Sequence, residues 1–285
     1  MTPFSIHPDT TVGPVYLTIS DLGRSEGFYR DVLGFKTLSR QDNTLTLTAD
    51  GASPLLILKE KPGVRPKPRH TTGLYHFAIL VPNRADLARS LRRLLDLDYP
   101  LQGASDHRVS EALYLADPDG NGIEIYRDRP RATWPNQDGQ VQMSIDPLDT
   151  EELLAELKED DRSWDGLPPS TIIGHIHLQV ADLRQAEAFY HSVLGFDIML
   201  RYGPSALFLS AGGYHHHIGL NTWAGVGAPS PLPDTVGLRQ FVVALPNRDE
   251  LARVVKRIQR ANIVAEQTAS GVLIRDPSQN GVMLA

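Results

Sequence analysis

Three groups of residues in this chain could do chemistry. The first is the run His107-Arg-Val-Ser-Glu-Ala-Leu-Tyr114-Leu-Ala-Asp117-Pro118-Asp-Gly120-Asn-Gly-Ile-Glu124. It reads as a strand, a tight Asp-Pro-Asp-Gly-Asn-Gly turn and a returning strand, Gly122 to Tyr126. Side chains alternate along a strand, so Glu124 must face away from Ile123 and Ile125. If that face lines the inside of a curved sheet, the carboxylate is buried and needs a cation. The second group is the strand histidines, His76 in Tyr75-His76-Phe77 and His175 and His177 in Gly174-His175-Ile-His177-Leu. The third is the cluster Tyr214-His215-His216-His217. No cysteine is present. Thiolate nucleophiles, disulfides, iron–sulfur clusters and Cys-type zinc sites are therefore excluded, and any metal must be held by imidazole and carboxylate.

The elements that must position these residues repeat. Thr11-Val-Gly-Pro-Val-Tyr-Leu-Thr-Ile-Ser-Asp21-Leu22, with Phe28-Tyr29 and Leu33-Gly34-Phe35, returns as Ile172-Ile-Gly-His-Ile-His-Leu-Gln-Val-Ala-Asp182-Leu183, with Phe189-Tyr190 and Leu194-Gly195-Phe196, at an offset of 161. Pro82-Asn83-Arg84 with Leu87-Ala88-Arg89 returns as Pro246-Asn247-Arg248 with Leu251-Ala252-Arg253 at an offset of 164. The turn Asp117-Pro118-Asp-Gly-Asn-Gly has its counterpart in Asp276-Pro277-Ser-Gln-Asn-Gly. Such self-similarity predicts two halves of two related units each. Each unit reads as an alternating strand, a helix capped by Asp or Asn, and further strands joined at Gly, Asn and Asp turns, which is βαβββ. The expected domains are 1–135 and 171–285, with a linker at 136–170 that carries a short acidic helix near 149–158. The 285 residues suit two domains, and the net charge of −6 argues against nucleic acid. The polar opening Met1-Thr-Pro-Phe-Ser-Ile-His does not read as a leader, and no apolar run is long enough to span a bilayer. A cytoplasmic protein is expected, and a homo-oligomer stays open.

These motifs resemble the vicinal oxygen chelate superfamily, which groups glyoxalases, bleomycin-resistance proteins and extradiol dioxygenases. The resemblance spans almost the whole chain. Within it, the chain is most similar to the two-domain catechol 2,3-dioxygenases. The resemblance implies an α+β fold of four βαβββ modules forming two open-barrel domains. The extradiol signature is met by His107, Leu113, Tyr114, Asp117, Pro118, Gly120 and Glu124, and Ser105 departs from it. In this family one module supplies a His and the Glu, and its partner supplies a second His. That implies His76, Glu124 and His175 as metal ligands, since Pro14, Gln240 and Met283 stand at the other equivalent places. Two imidazoles and one carboxylate form the facial triad of non-haem Fe(II) oxygenases, and Mn(II) suits it too. The second and third modules are then expected to pair.

The resemblance also implies roles. His216 is the acid–base, with His217 the runner-up and His215 a further alternative, since one residue of slip exchanges them. Tyr114 and His107 hydrogen-bond the substrate oxygen. The substrate is a small aromatic diol, the co-substrate O2, and the product a 2-hydroxymuconic semialdehyde type. Weaker substrate contacts are expected from His217, Tyr214 and Trp223, while Tyr202 and Phe208 read equally as pocket wall or as core. A strand histidine is commonly a hydrogen-bonded core residue, and that reading is favoured for His177. Two other functions compete. A glyoxalase-like isomerase or thiol transferase would need a second carboxylate, and Gly219 stands where it would sit. A non-catalytic small-molecule binding protein would not need the metal set.

Overall fold

A computed structural model describes residues 4–137, 140–158 and 164–285. Residues 1–3, where the polar opening begins, and 138–139 and 159–163, within the expected linker, lie outside the described residues. The order is β1 (Thr11–Ile19), α1 (Leu22–Gly27), β2 (Lys36–Gln41), β3 (Thr44–Thr48) and β4 (Leu56–Glu60), then β5 (Gly73–Leu80), α2 (Arg84–Asp96), β6 (Gly103–Asp106), β7 (Ser110–Ala116) and β8 (Gly122–Asp128). Short strands β9 (Asn136–Gln137), β10 (Gln140–Val141) and β11 (Asp146–Pro147) lead to the acidic helix α3 (Thr150–Ala155). The pattern repeats as β12 (Ile172–Gln179), α4 (Leu183–Glu187), β13 (Asp197–Tyr202), β14 (Ala206–Ser210) and β15 (Ile218–Asn221), then β16 (Gly237–Ala244), α5 (Arg248–Arg260), β17 (Ala265–Thr268), β18 (Gly271–Arg275) and β19 (Gly281–Leu284). This is an α+β fold of four βαβββ modules, as the repeat predicts. Among the described residues, no helix is long and apolar enough to cross a membrane.

The helices start where the capping residues stand. Asp21, Asn83, Asp182 and Asn247 each accept a backbone N–H of the first turn, which satisfies a donor the helix itself cannot. The helices α1 and α4 run on as π-helical turns over Phe28–Val32 and Ala188–Val193.

The chain divides into two compact units. One comprises Thr18–Val64 and His76–Ile173, and will be called the N-terminal unit; the other, the C-terminal unit, comprises Met1–Leu17, Arg65–Tyr75 and Gly174–Ala285. In the N-terminal unit the strands run β4-β3-β2 and β11-β6-β7-β8-β5. β5 pairs with β8 in parallel, and β7 pairs with β8 antiparallel. In the C-terminal unit they run β17-β18-β19-β16 and β12-β15-β14-β13, with β12 parallel to β15. Each unit has its own core. Phe77, Ile79, Leu115, Ile123 and Ile125 are buried in the first, and Ile176, Leu178, Leu207, Leu209 and Leu220 in the second.

One device appears once in each unit. Tyr29 donates to Asp117 Oδ2 at 2.9 Å, and Tyr190 donates to Asp276 Oδ2 at 3.1 Å. Asp117 also accepts from the backbone of Asp119 and Asn121 and from Asn121 Nδ2, and Asp276 accepts the same set from Ser278 and Asn280. The Phe-Tyr of one module therefore anchors the Asp-Pro turn of the next. The segments entering the first and third modules also match. Ile6 N–H donates to Gly195 O and Leu167 N–H to Gly34 O, both at 2.9 Å. Gly195 and Gly34 have φ of 93° and 83°. A Cβ would meet the Phe4 ring at the one and Gly166 at the other, so close approach as well as backbone sign requires glycine.

Candidate active site

In the N-terminal unit the site is built on adjacent strands. Register places Ala78 of β5 opposite Glu124 of β8, and Glu124 opposite Tyr114 of β7. His76, two residues before Ala78, shares its face. Glu124 Oε2 lies 3.0 Å from His76 Nε2, and both side chains are buried. Ile123 and Ile125 point to the opposite face, as alternation predicts, and are buried there. Ala78 and Ala112 pack with Tyr126, Leu80 and Tyr114. Their small size leaves room for the longer carboxylate and phenol beside them. Tyr114 lies 5.6 Å from His76, ring centre to ring centre.

His107 and Tyr114 form a relay whose protons can be assigned. His107 Nδ1 lies 2.6 Å from the backbone oxygen of Ser144, and its Nε2 lies 2.6 Å from Tyr114 Oη. A carbonyl only accepts, so Nδ1 carries the proton. In neutral His107, Nε2 then accepts the Tyr114 O–H, and the phenolic oxygen keeps lone pairs for another donor.

In the C-terminal unit, His175 is on β12 and the cluster 214–217 leads into β15. The ring of His216 lies 4.1 Å from that of His175, and that of His215 6.0 Å from it. His215 Nδ1 and His216 Nδ1 are 2.8 Å apart, so one donates a hydrogen bond to the other. His217 is held differently. Its Nδ1 accepts the backbone N–H of Ala211 at 3.2 Å and lies 3.0 Å from Ser210 Oγ. That fixes the ring as a brace for the turn. Tyr214 packs on His215 and His217, at 4.1 and 4.9 Å. His216 is the member that touches His175 most closely.

Phe208 continues the ring contacts, 4.9 Å from His216 and 5.5 Å from His177. Trp223 is half-exposed and meets His177 and Tyr75 at 5.5 and 5.1 Å. Tyr202 is exposed at the end of β13. Three participants escaped the sequence reading: Ser144, Ser210 and Asn221, whose Nδ2 lies 3.0 Å from His177 Nε2. Ser144 acts through a backbone oxygen, which leaves no mark on side-chain pattern. Asn221 is visible only as a polar residue ending an apolar strand.

The family model described as Glyoxalase/Bleomycin resistance protein/Dioxygenase superfamily matches residues 11–125 and 172–284. The chain is 50% identical over 276 residues to a catechol-2,3-dioxygenase of Bacillus subtilis (strain 168), covering 96% of each. It is therefore a catechol 2,3-dioxygenase homologue over nearly its whole length. Two solved structures share the fold. A putative dioxygenase of Bacillus subtilis superposes with a TM-score of 0.63 at 14% identity, covering 96% of this chain and 85% of the other. The glyoxalase I of Zea mays superposes with a TM-score of 0.59 at 14% identity, covering 97% and 92%.

Proposed function

The chain belongs to the glyoxalase/bleomycin resistance protein/dioxygenase superfamily, and we propose that it is an extradiol dioxygenase that opens a catechol ring with O2 at a non-haem iron. One observation carries the proposal. His76, Glu124 and His175 are all buried, and each offers a ligand atom within 4.8 Å of the others. Two neutral imidazoles and one carboxylate fit a divalent iron or manganese ion and leave positions for exogenous ligands. When bound, the ion would supply Lewis acidity toward the diol and redox contact with dioxygen.

The chain's own groups handle protons and orientation. Tyr114, held by His107, presents its oxygen as an acceptor for a substrate hydroxyl. His216 is the acid–base. Once protonated on both nitrogens, His216 donates its Nδ1–H to His215 Nδ1, a contact that steadies the imidazolium. Phe208 meets the His216 ring edge-on at 4.9 Å and gives that side of it an apolar wall.

The test is anaerobic loading with Fe(II), metal analysis, and exposure to catechol and air. About one ion per chain and a yellow ring-cleavage product are expected. Nickel or zinc with turnover of a methylglyoxal–thiol adduct would replace this reading with an isomerase. Failure to bind any divalent ion would replace it with a binding protein.

A further inference from the structure

The equivalent register pair is inverted between the two units. In the N-terminal unit, Ala78 on the first strand faces Glu124 on the last. In the C-terminal unit, His177 on the first strand faces Gly219 on the last. Each pair lies two residues beyond a proposed ligand, His76 or His175. Each combines one small and one reaching residue, but the reaching residue has changed strands. Gly219 is where a second carboxylate would stand, and a Cβ built there would meet Cγ of His177 at 2.8 Å. The imidazole already fills the space.

His177 is also fixed. The backbone N–H of Trp223 donates to Asn221 Oδ1 at 3.0 Å, which sets the amide's orientation. Asn221 Nδ2 therefore donates to His177 Nε2, also at 3.0 Å. Phe208, Tyr75 and Trp223 pack against the ring at 5.5, 5.1 and 5.5 Å. His177 lies outside the group of convergent donors found among the described residues.

We propose that His177, pinned across Gly219 by Asn221, is a positioning residue that fills the place of a fourth protein donor and so reserves that side of the metal for substrate. The proposal rests on the metal reading above. It makes the pair His177/Gly219 a determinant of reaction type: exchanged for the Ala/Glu pair of the second module, it would complete a four-ligand site.

The test uses Co(II) binding to the full chain, followed by calorimetry and by its visible spectrum. The variant H177A/G219E is expected to bind Co(II) about tenfold or more tightly than the natural chain, with a changed d–d band. His177→Ala alone keeps Co(II) affinity within roughly twofold but raises KM for catechol about tenfold, with kcat less affected. His177→Phe, which refills the space, restores KM and checks the idea should the double variant not fold. Loss of Co(II) in His177→Ala as complete as in His175→Ala would overturn the proposal by making His177 a ligand. A folded double variant no tighter than His177→Ala would overturn it too, as would an unchanged KM in His177→Ala. Absence of Co(II) binding by the natural chain would instead overturn the metal reading beneath it.

Discussion

At the scale of single residues, the three histidines of the cluster are told apart by what their nitrogens do. His217 Nδ1 is committed to the Ala211 N–H. His215 is fully buried against Tyr214. His216 has its Nδ1 on His215 and its ring on His175. Replacing His216 with Phe should therefore preserve iron content and lower turnover by roughly 10²–10⁴-fold, whereas His217→Phe should mainly lower thermal stability. Steady-state kinetics with metal analysis on both variants checks this, and the reverse pattern would move the acid–base role to His217. The sequence pointed to His216 only through a register that a one-residue slip would change. The contacts of His217 Nδ1 with Ala211 N–H and Ser210 Oγ favour His216 as the proposed acid–base, and no side-chain pattern encodes the first of them. Glu124 was the opposite case. Its place between two isoleucines predicts its face, and burial of all three follows from a sheet covered on both sides.

At the scale of elements, the repeat was legible because each module keeps the same capping residues, glycine stops and Asp-Pro turns. The reason for the Phe-Tyr pair was not legible, since Tyr29 and Asp117 are 88 residues apart. Their contact makes the motif intelligible as a clasp between consecutive modules. Tyr29→Phe leaves a buried carboxylate one donor short, which costs about 1–3 kcal/mol. Tyr190→Phe should do the same in the other unit. Burial raises the carboxyl of Asp117 above its ordinary value of 3.8, against the lowering effect of Asn121 and Tyr29. The folded chain therefore binds that proton more tightly than the unfolded chain. This contribution is full below the ordinary carboxylate range and fades as pH rises through the folded value. The tyrosine hydroxyl supports the ionised form, so the Tyr29→Phe deficit should be larger at neutral pH than near pH 4. Urea unfolding at the two pH values measures it, and an equal deficit at both would mean that the clasp does not carry the charge.

At the scale of the whole molecule, each unit has its own core, clasp and entering segment, so neither depends on a metal for its hydrophobic stabilisation. The proposed donors are His76, Glu124 and His175. An ion that binds all three in the folded chain stabilises it by mass action, by about 2.7 kcal/mol at a concentration 100-fold above its Kd. For a chain of this size that corresponds to a rise in Tm of roughly 4–5 °C. Mn(II) is the practical probe, since it suits the same donors and does not oxidise readily. Adding Mn(II) to the metal-free chain should raise Tm, and a chelator should reverse the rise. His175→Ala and Glu124→Gln should each abolish the rise, although their positions are 51 apart in the sequence. If His175→Ala retained the full shift while Glu124→Gln lost it, the ion would be held without His175, and the three-donor reading would be overturned.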